Sequence, residues 1–168
     1  MNRYTVAVLV KNQFGVLNRV TSMFRRRQFN ISALSVSETE SKEYSRITVI
    51  FDGEDTAKDQ LINQLYKLPD VCSIKELDSR GSVSCELLLI KMQNEPGSRD
   101  DIRVAADAFG ARIMDYSKES VIYSLTDDSR RIDDFIDLMR DYTILEICRT
   151  GSVSLEKGES TIRKVTNL

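Results

Sequence analysis

Strand-like and helix-like periodicities follow one another along this chain in the order β-α-β-β-α-β, and after a short gap the same order begins again. Tyr4–Val10 (YTVAVLV) is a β-branched run, and from Val16 the apolar residues Val16, Leu17, Val20, Met23 and Phe24 fall on one helical face. Asn30–Ser37 and Tyr44–Phe51 read as two strands joined by the polar turn Glu38–Glu43, with Ile47, Val49 and Phe51 sharing one face at period two. Ala57, Leu61, Leu65 and Leu68 mark a second helix that Pro69 stops, and Val71–Leu77 is a fourth strand. Beyond the gap Asp78–Ser82, Cys85–Met92 (CELLLIKM) opens the second round, and Ser98 stands where an N-cap belongs. Ile102, Ala105, Ala106 and Phe109 form the next helical face, and Ala111–Tyr116 and Val121–Leu125 are short strands. A helix capped by Ser129 carries Ile132, Phe135, Ile136 and Met139, and Ile144–Thr150 closes the unit. The expected fold is α+β, two tandem ferredoxin-like βαββαβ domains at residues 1–78 and 79–168. The last ten or so residues, from about Gly158, are polar and expected to fray.

The first strand of each round is apolar on both parities. Val6, Val8 and Val10 alternate with Ala7 and Leu9, and Leu88, Ile90 and Met92 alternate with Leu87 and Leu89. In a βαββαβ unit the helices cover one sheet face only, so the other face of each central strand should meet another domain or a second subunit.

The chain has no histidine, which excludes Ser-His-Asp and Cys-His catalysis and His-based zinc sites. Cys72, Cys85 and Cys148 are odd in number, lack CxxC spacing and sit in apolar runs, so they read as reduced, buried packing residues. A net charge of −2 argues against nucleic acid or an anionic membrane as partner. The run Arg25-Arg26-Arg27 reads as the polar end of an amphipathic helix. The acidic pairs Asp100-Asp101, Asp127-Asp128 and Asp133-Asp134 fall at helix starts or on polar helix faces, where negative charge suits the helix dipole or is simply solvated. No GxxxxGK or GxGxxG occurs, and no apolar run approaches the ~20 residues of a membrane span. Neither a catalytic nor a metal-binding set emerges. The chain opens directly into a strand with no leader pattern, so the expected location is the cytoplasm.

The loop Lys11-Asn12-Gln13-Phe14-Gly15 lies between a strand and a helix start, a place where small anions and carboxylates are held by unpaired N–H groups. It contains no nucleophile and no acid. This loop and its flanks resemble the ACT domain, a βαββαβ module that binds small amino acids. More narrowly, NQFGVLNRVTSMFRRRQFNISAL, followed by SRITV, KLPDV and RTGSVSLEKGE, is similar to the small regulatory subunit of acetolactate (acetohydroxyacid) synthase over about 155 residues.

The resemblance implies a non-catalytic regulatory subunit of branched-chain amino-acid biosynthesis. Such a subunit is dimeric through its ACT domains, binds and stimulates the catalytic subunit, and confers feedback inhibition by valine. Thiamine diphosphate, Mg²⁺ and FAD would belong to the catalytic partner, with no cofactor on this chain. The effector site would lie between two ACT domains of different subunits. Carried onto this chain, it would use the backbone N–H groups of Gly15, Val16 and Leu17 for the carboxylate and the Asn12 side-chain oxygen for the ammonium. Asn30 and Ile31, at the start of an edge strand, would come from the partner subunit. Arg19 reads as a surface or salt-bridged residue. A stand-alone ACT-type sensor acting on another enzyme or transporter is the alternative.

Overall fold

The computed structural model describes residues 2–163. Its elements are β1 (Asn2–Lys11), α1 (Val16–Arg26), β2 (Ile31–Glu38), β3 (Tyr44–Gly53), α2 (Asp55–Leu65) and β4 (Val71–Glu76). They continue with β5 (Ser82–Gln93), α3 (Arg99–Phe109), β6 (Arg112–Tyr116), β7 (Ser120–Asp127), α4 (Ser129–Met139), β8 (Ile144–Arg149) and β9 (Val153–Glu156). The two βαββαβ rounds expected from periodicity are both present. One antiparallel sheet has the order β2-β3-β1-β4 and the other β6-β7-β5-β8, so each first strand is central and each second strand is an edge.

In the first unit, Val6, Val8 and Val10 of β1 and Ile47, Val49 and Phe51 of β3 meet Val20, Met23 and Phe24 of α1 and Leu61 and Leu65 of α2. Each of these side chains taken out of water contributes roughly 1.5–3 kcal/mol before entropy is charged against it. In the second unit, Leu88, Ile90 and Met92 pack against Ile102 and Ala106 of α3 and Ile132, Phe135 and Met139 of α4. The helical faces read from the sequence turn toward the cores in all four helices, with Ala57, Ala105, Phe109 and Ile136 half-buried, Leu68 beyond the end of α2 and Leu17 exposed.

Several expectations are corrected. The chain divides into one compact unit that runs to Ser84 and takes back the segment from Val153, and a second formed by Cys85–Ser152. The expected boundary at Asp78 falls within the first of these, and the end of the expected second domain returns to the first. That return rests on β9, which pairs with the beginning of β5: the Ser84 and Ser154 hydroxyls are 2.7 Å apart and the Lys157 N–H donates to the Gly81 carbonyl at 2.8 Å. The fraying expected near the C-terminus falls, for residues 164–168, outside the described residues. Before them, Lys75 Nζ donates to Ser160 Oγ at 2.7 Å and Arg163 pairs with Glu40 at 2.8 Å, so this stretch is tied down.

The caps also differ. Asp128 rather than Ser129 caps α4, its carboxylate accepting from the Arg131 N–H at 2.9 Å, and Ser98 occupies the N-cap position of α3 without a side-chain capping bond. The cysteines are free but not buried: Cys72 and Cys148 are exposed and Cys85 is half-buried. Cys72 is the extra residue of a β-bulge, since Leu9 pairs with Ser73 and Val10 with Val71. Cys148 lies on edge strand β8 opposite Leu89, on the face that the helices leave uncovered.

Candidate functional site

The loop after β1 is built to hold its backbone open. Gly15 stands at the N-cap of α1 with φ 82° and ψ −4°, a left-handed conformation that a side chain would strain, and no side chain caps the helix. The Val16 N–H donates to the Gln13 carbonyl at 3.3 Å and the Arg19 N–H to Gly15 at 3.0 Å. Among the described residues the N–H groups of Gly15, Leu17 and Asn18 have no such backbone partner. Of the three donors expected for a carboxylate, Gly15 and Leu17 are therefore free, Val16 is engaged within the loop, and Asn18 joins them. The helix dipole adds partial positive charge at this end.

Asn12 is held by the turn between β2 and β3. Its N–H donates to the Glu43 carbonyl at 2.7 Å, and its Nδ2 donates to Glu38 Oε1 and to the Lys42 carbonyl, both at 3.0 Å. Both partners are acceptors, so the amide nitrogen must face them and Oδ1 is the atom left for a ligand's ammonium. Arg19 is salt-bridged to Asp70 at 2.7 Å, in line with its reading as a surface or salt-bridged residue. The Lys11 N–H donates to the Asp70 carbonyl at 2.9 Å, which ties the loop to the chain entering β4 as well.

Asn30 and Ile31 are at the other end of β2. Ile31 pairs with Phe51, whereas Glu38, the residue that holds Asn12, pairs with Ser45. Eight strand steps separate Asn30 from Glu38, roughly 26 Å along an extended chain. Within one chain the structure brings Asn12, Gly15, Val16 and Leu17 together and leaves Asn30 and Ile31 apart from them. Beside Ile31, Ser32 is the bulged residue of β2, and its hydroxyl donates to Asp52 Oδ2 at 2.8 Å. That bond, with Arg3 on the other oxygen at 3.2 Å, holds the Asp52 carboxyl below the usual carboxylate range.

Two features were not anticipated from the sequence. Phe14, at the tip of the loop, is fully exposed, and Val36 on edge strand β2 and Leu17 are exposed with it. Large apolar side chains beside an unpaired strand edge mark a contact surface. The second unit, moreover, repeats the loop: the Asn94 N–H donates to the Glu119 carbonyl at 2.9 Å and its Nδ2 to the Ser117 carbonyl at 2.6 Å, both in the turn between β6 and β7. There Oδ1 is occupied, accepting from Arg99 Nε at 2.7 Å, and Asn94 is buried. The repeated spacing Asn12-x-x-Gly15 and Asn94-x-x-Gly97 is the signal that could have revealed this pair.

In the second unit the Arg149-Thr150-Gly151 stretch is structural. Arg149 bonds to buried Glu86, to Asp133 at 2.6 Å and to Ser129 Oγ at 2.9 Å, and Thr150 Oγ1 accepts from the Leu87 N–H at 3.1 Å. Burial acts against the Arg149 charge, but the Asp133 and Glu86 carboxylates outweigh it and raise its pKa.

Comparison with known proteins covers both units. A family model described as an AHAS small subunit-like ACT domain matches residues 6–73, and one for the small subunit of acetolactate synthase matches residues 85–158. A probable acetolactate synthase small subunit of Archaeoglobus fulgidus is 43% identical over 156 residues, covering 93% of this chain and 98% of the relative. The acetolactate synthase small subunit of Bacillus subtilis is 36% identical over 155 residues, covering 91% and 90% of the two chains. The crystal structure of the Thermotoga maritima acetolactate synthase small subunit matches with a TM-score of 0.89 at 31% identity, covering 95% of this chain and all of that one.

Proposed function

The chain belongs to the acetolactate synthase small-subunit family, and on that premise we propose that it is a valine-responsive regulator that binds the catalytic subunit, stimulates it and makes it sensitive to feedback. Two copies join through their β2 edges into a dimer. In an antiparallel, two-fold arrangement the beginning of one β2 faces the end of the other, so Asn30 and Ile31 of one copy meet the Glu38 end of its partner, beside Asn12. The valine carboxylate takes the free N–H groups at the start of α1, and its ammonium takes Asn12 Oδ1. The partner's Asn30 and Ile31 close the site over the side chain.

The observation that carries this reading is the state of the loop: a left-handed Gly15 with open donors and an Asn12 whose nitrogen is pinned and whose oxygen is not. Chemistry in this reading resides on the catalytic partner, with its thiamine diphosphate, Mg²⁺ and FAD, in the cytoplasm. Valine acts by favouring one dimer arrangement over another, with a coupling of ~1–3 kcal/mol, equivalent to about 5- to 150-fold. In the reconstituted enzyme, Asn12→Ala and Asn30→Ala are each expected to raise the valine concentration for half-inhibition by about tenfold or more while leaving stimulation in place. Unchanged valine inhibition in both variants would refute the site, and loss of stimulation alone would point to a role in subunit contact.

A further inference from the structure

The helix-free face of the first sheet carries a second site-like feature, separate from the effector loop. The returning segment crosses this face and leaves a groove of about 440 Å³. Leu9 and Leu77 line it from below, and Leu155 and Ile162 line it from the segment. Arg46 of β3, half-buried, also lines it.

Two charged residues of the groove, Arg46 and Glu38, have no ion-pair partner among the described residues. Lys75 pairs with Glu156 and donates to Ser160, Arg163 pairs with Glu40, and Glu38 accepts from Asn12. Arg46 makes no ion pair among the described residues, and its one hydrogen bond runs from Nη2 to the Ser154 carbonyl at 2.7 Å. Burial disfavours its charge, and the nearby Glu156 offsets this only partly. A guanidinium presents five donors in a planar fork suited to a carboxylate, and desolvated donors without acceptors are costly.

The chemistry of the groove narrows what could fill it. A neutral apolar molecule would leave the remaining Arg46 donors unpaired. A cation would meet Arg46, with the three carboxylates already engaged. A polyanion such as inorganic phosphate would face Glu38, Glu40 and Glu156 with one unpaired cation to hold it. A single negative charge on a short branched chain satisfies both the guanidinium and the leucine and isoleucine walls.

We propose that this groove is a binding site for a short aliphatic monocarboxylate, its carboxylate held by Arg46 and its hydrocarbon by Leu9, Leu77, Leu155 and Ile162. The assignment stands on the groove alone and not on the effector reading.

The test is titration of the full chain with 3-methylbutanoate, followed by calorimetry and ligand-observed NMR, with inorganic phosphate as comparator and a parallel series in saturating valine. Saturable binding of 3-methylbutanoate is expected, with none of phosphate and with no displacement by valine. Arg46→Met is expected to weaken binding at least about tenfold by removing a charge-assisted pair. Arg46→Lys, which keeps the charge but not the fork, should fall between and carries the comparison if Arg46→Met does not fold. Absence of saturable binding up to about 10 mM, a regime weaker than ~3 kcal/mol, would overturn the proposal. So would equal affinity in the Arg46 variants, or displacement by valine, which would assign the acid to the effector loop. Failure of valine itself to bind would count against the regulatory reading and leave the groove result standing.

Discussion

The two βαββαβ units share strand order and helix packing, yet their helix-free faces differ. On the first sheet Ala7 is 0% exposed and Leu9 5%, and the segment from Val153 lies over the Leu9–Arg46 end of the face. On the second sheet Leu87 and Leu89, at the same parity of the equivalent strand, are 38% and 36% exposed, and Cys148 beside Leu89 is exposed as well. The loops after the central strands differ in a parallel way. Asn12 leaves its oxygen open, whereas Asn94 is buried and gives its oxygen to Arg99. One unit is closed over its sheet and open at its loop, and the other is the reverse. A duplicated scaffold can thus be given two different surfaces by a few side chains and one returning strand, with the fold left alone.

The comparison can be broken most directly by placing a carboxylate at matching positions on the two faces. Ala7→Asp buries a charge at a position that is 0% exposed, with the neighbouring Lys75 already paired to Glu156, and is expected to cost about 4 kcal/mol or more, whereas Leu89→Asp meets water and is expected to cost about 1 kcal/mol. Urea unfolding followed by circular dichroism gives both, and similar losses would erase the distinction between the faces. Smaller effects separate the loops. Asn94→Ala strips partners from the Ser117 carbonyl and the Arg99 guanidinium around a buried site and should lose ~1–3 kcal/mol. The equivalent Asn12→Ala, at an exposed position, should lose under about 1 kcal/mol in the same assay. The smallest contrast concerns the glycines. Gly15→Ala must hold a left-handed residue and is expected to cost ~1–2 kcal/mol, although its new methyl would touch only Arg19 Nη1 at an ordinary 3.7 Å. Gly97→Ala, where φ is not left-handed and no atom lies within 4 Å of the added carbon, should fall within about 0.5 kcal/mol of the parent. Equal costs at Gly15 and Gly97 would mean that the first loop is not held in the conformation that opens its donors.

Much of this was legible along the chain. The helix faces at Val20-Met23-Phe24 and Ile132-Phe135-Met139 are buried as their spacing indicates. The edge position of Asn30 and Ile31 follows once the βαββαβ order is recognised. Less legible were features set by distant partners. The returning strand β9 is four residues long, and it pairs across a separation of 70 residues, which no local pattern announces. Cys72 reads as a packing residue until a bulge one position wide turns it outward. The exposure of Phe14 is equally invisible, since an aromatic residue between a strand and a helix gives no sign of which way it points.

By itself the sequence determined the duplicated β-α-β-β-α-β order, the helix faces, the lack of histidine-based chemistry and the site of the Gly15 loop, because periodicity and residue type act over a few neighbours. Tertiary structure alone decided which sheet face is covered, which amide oxygen remains open and that Arg46 lines a groove with no ion pair among the described residues. Those outcomes depend on groups far apart in the chain meeting at hydrogen-bond distance: the Asn12 nitrogen is turned to Glu38 and the Lys42 carbonyl, and Arg46 reaches the Ser154 carbonyl.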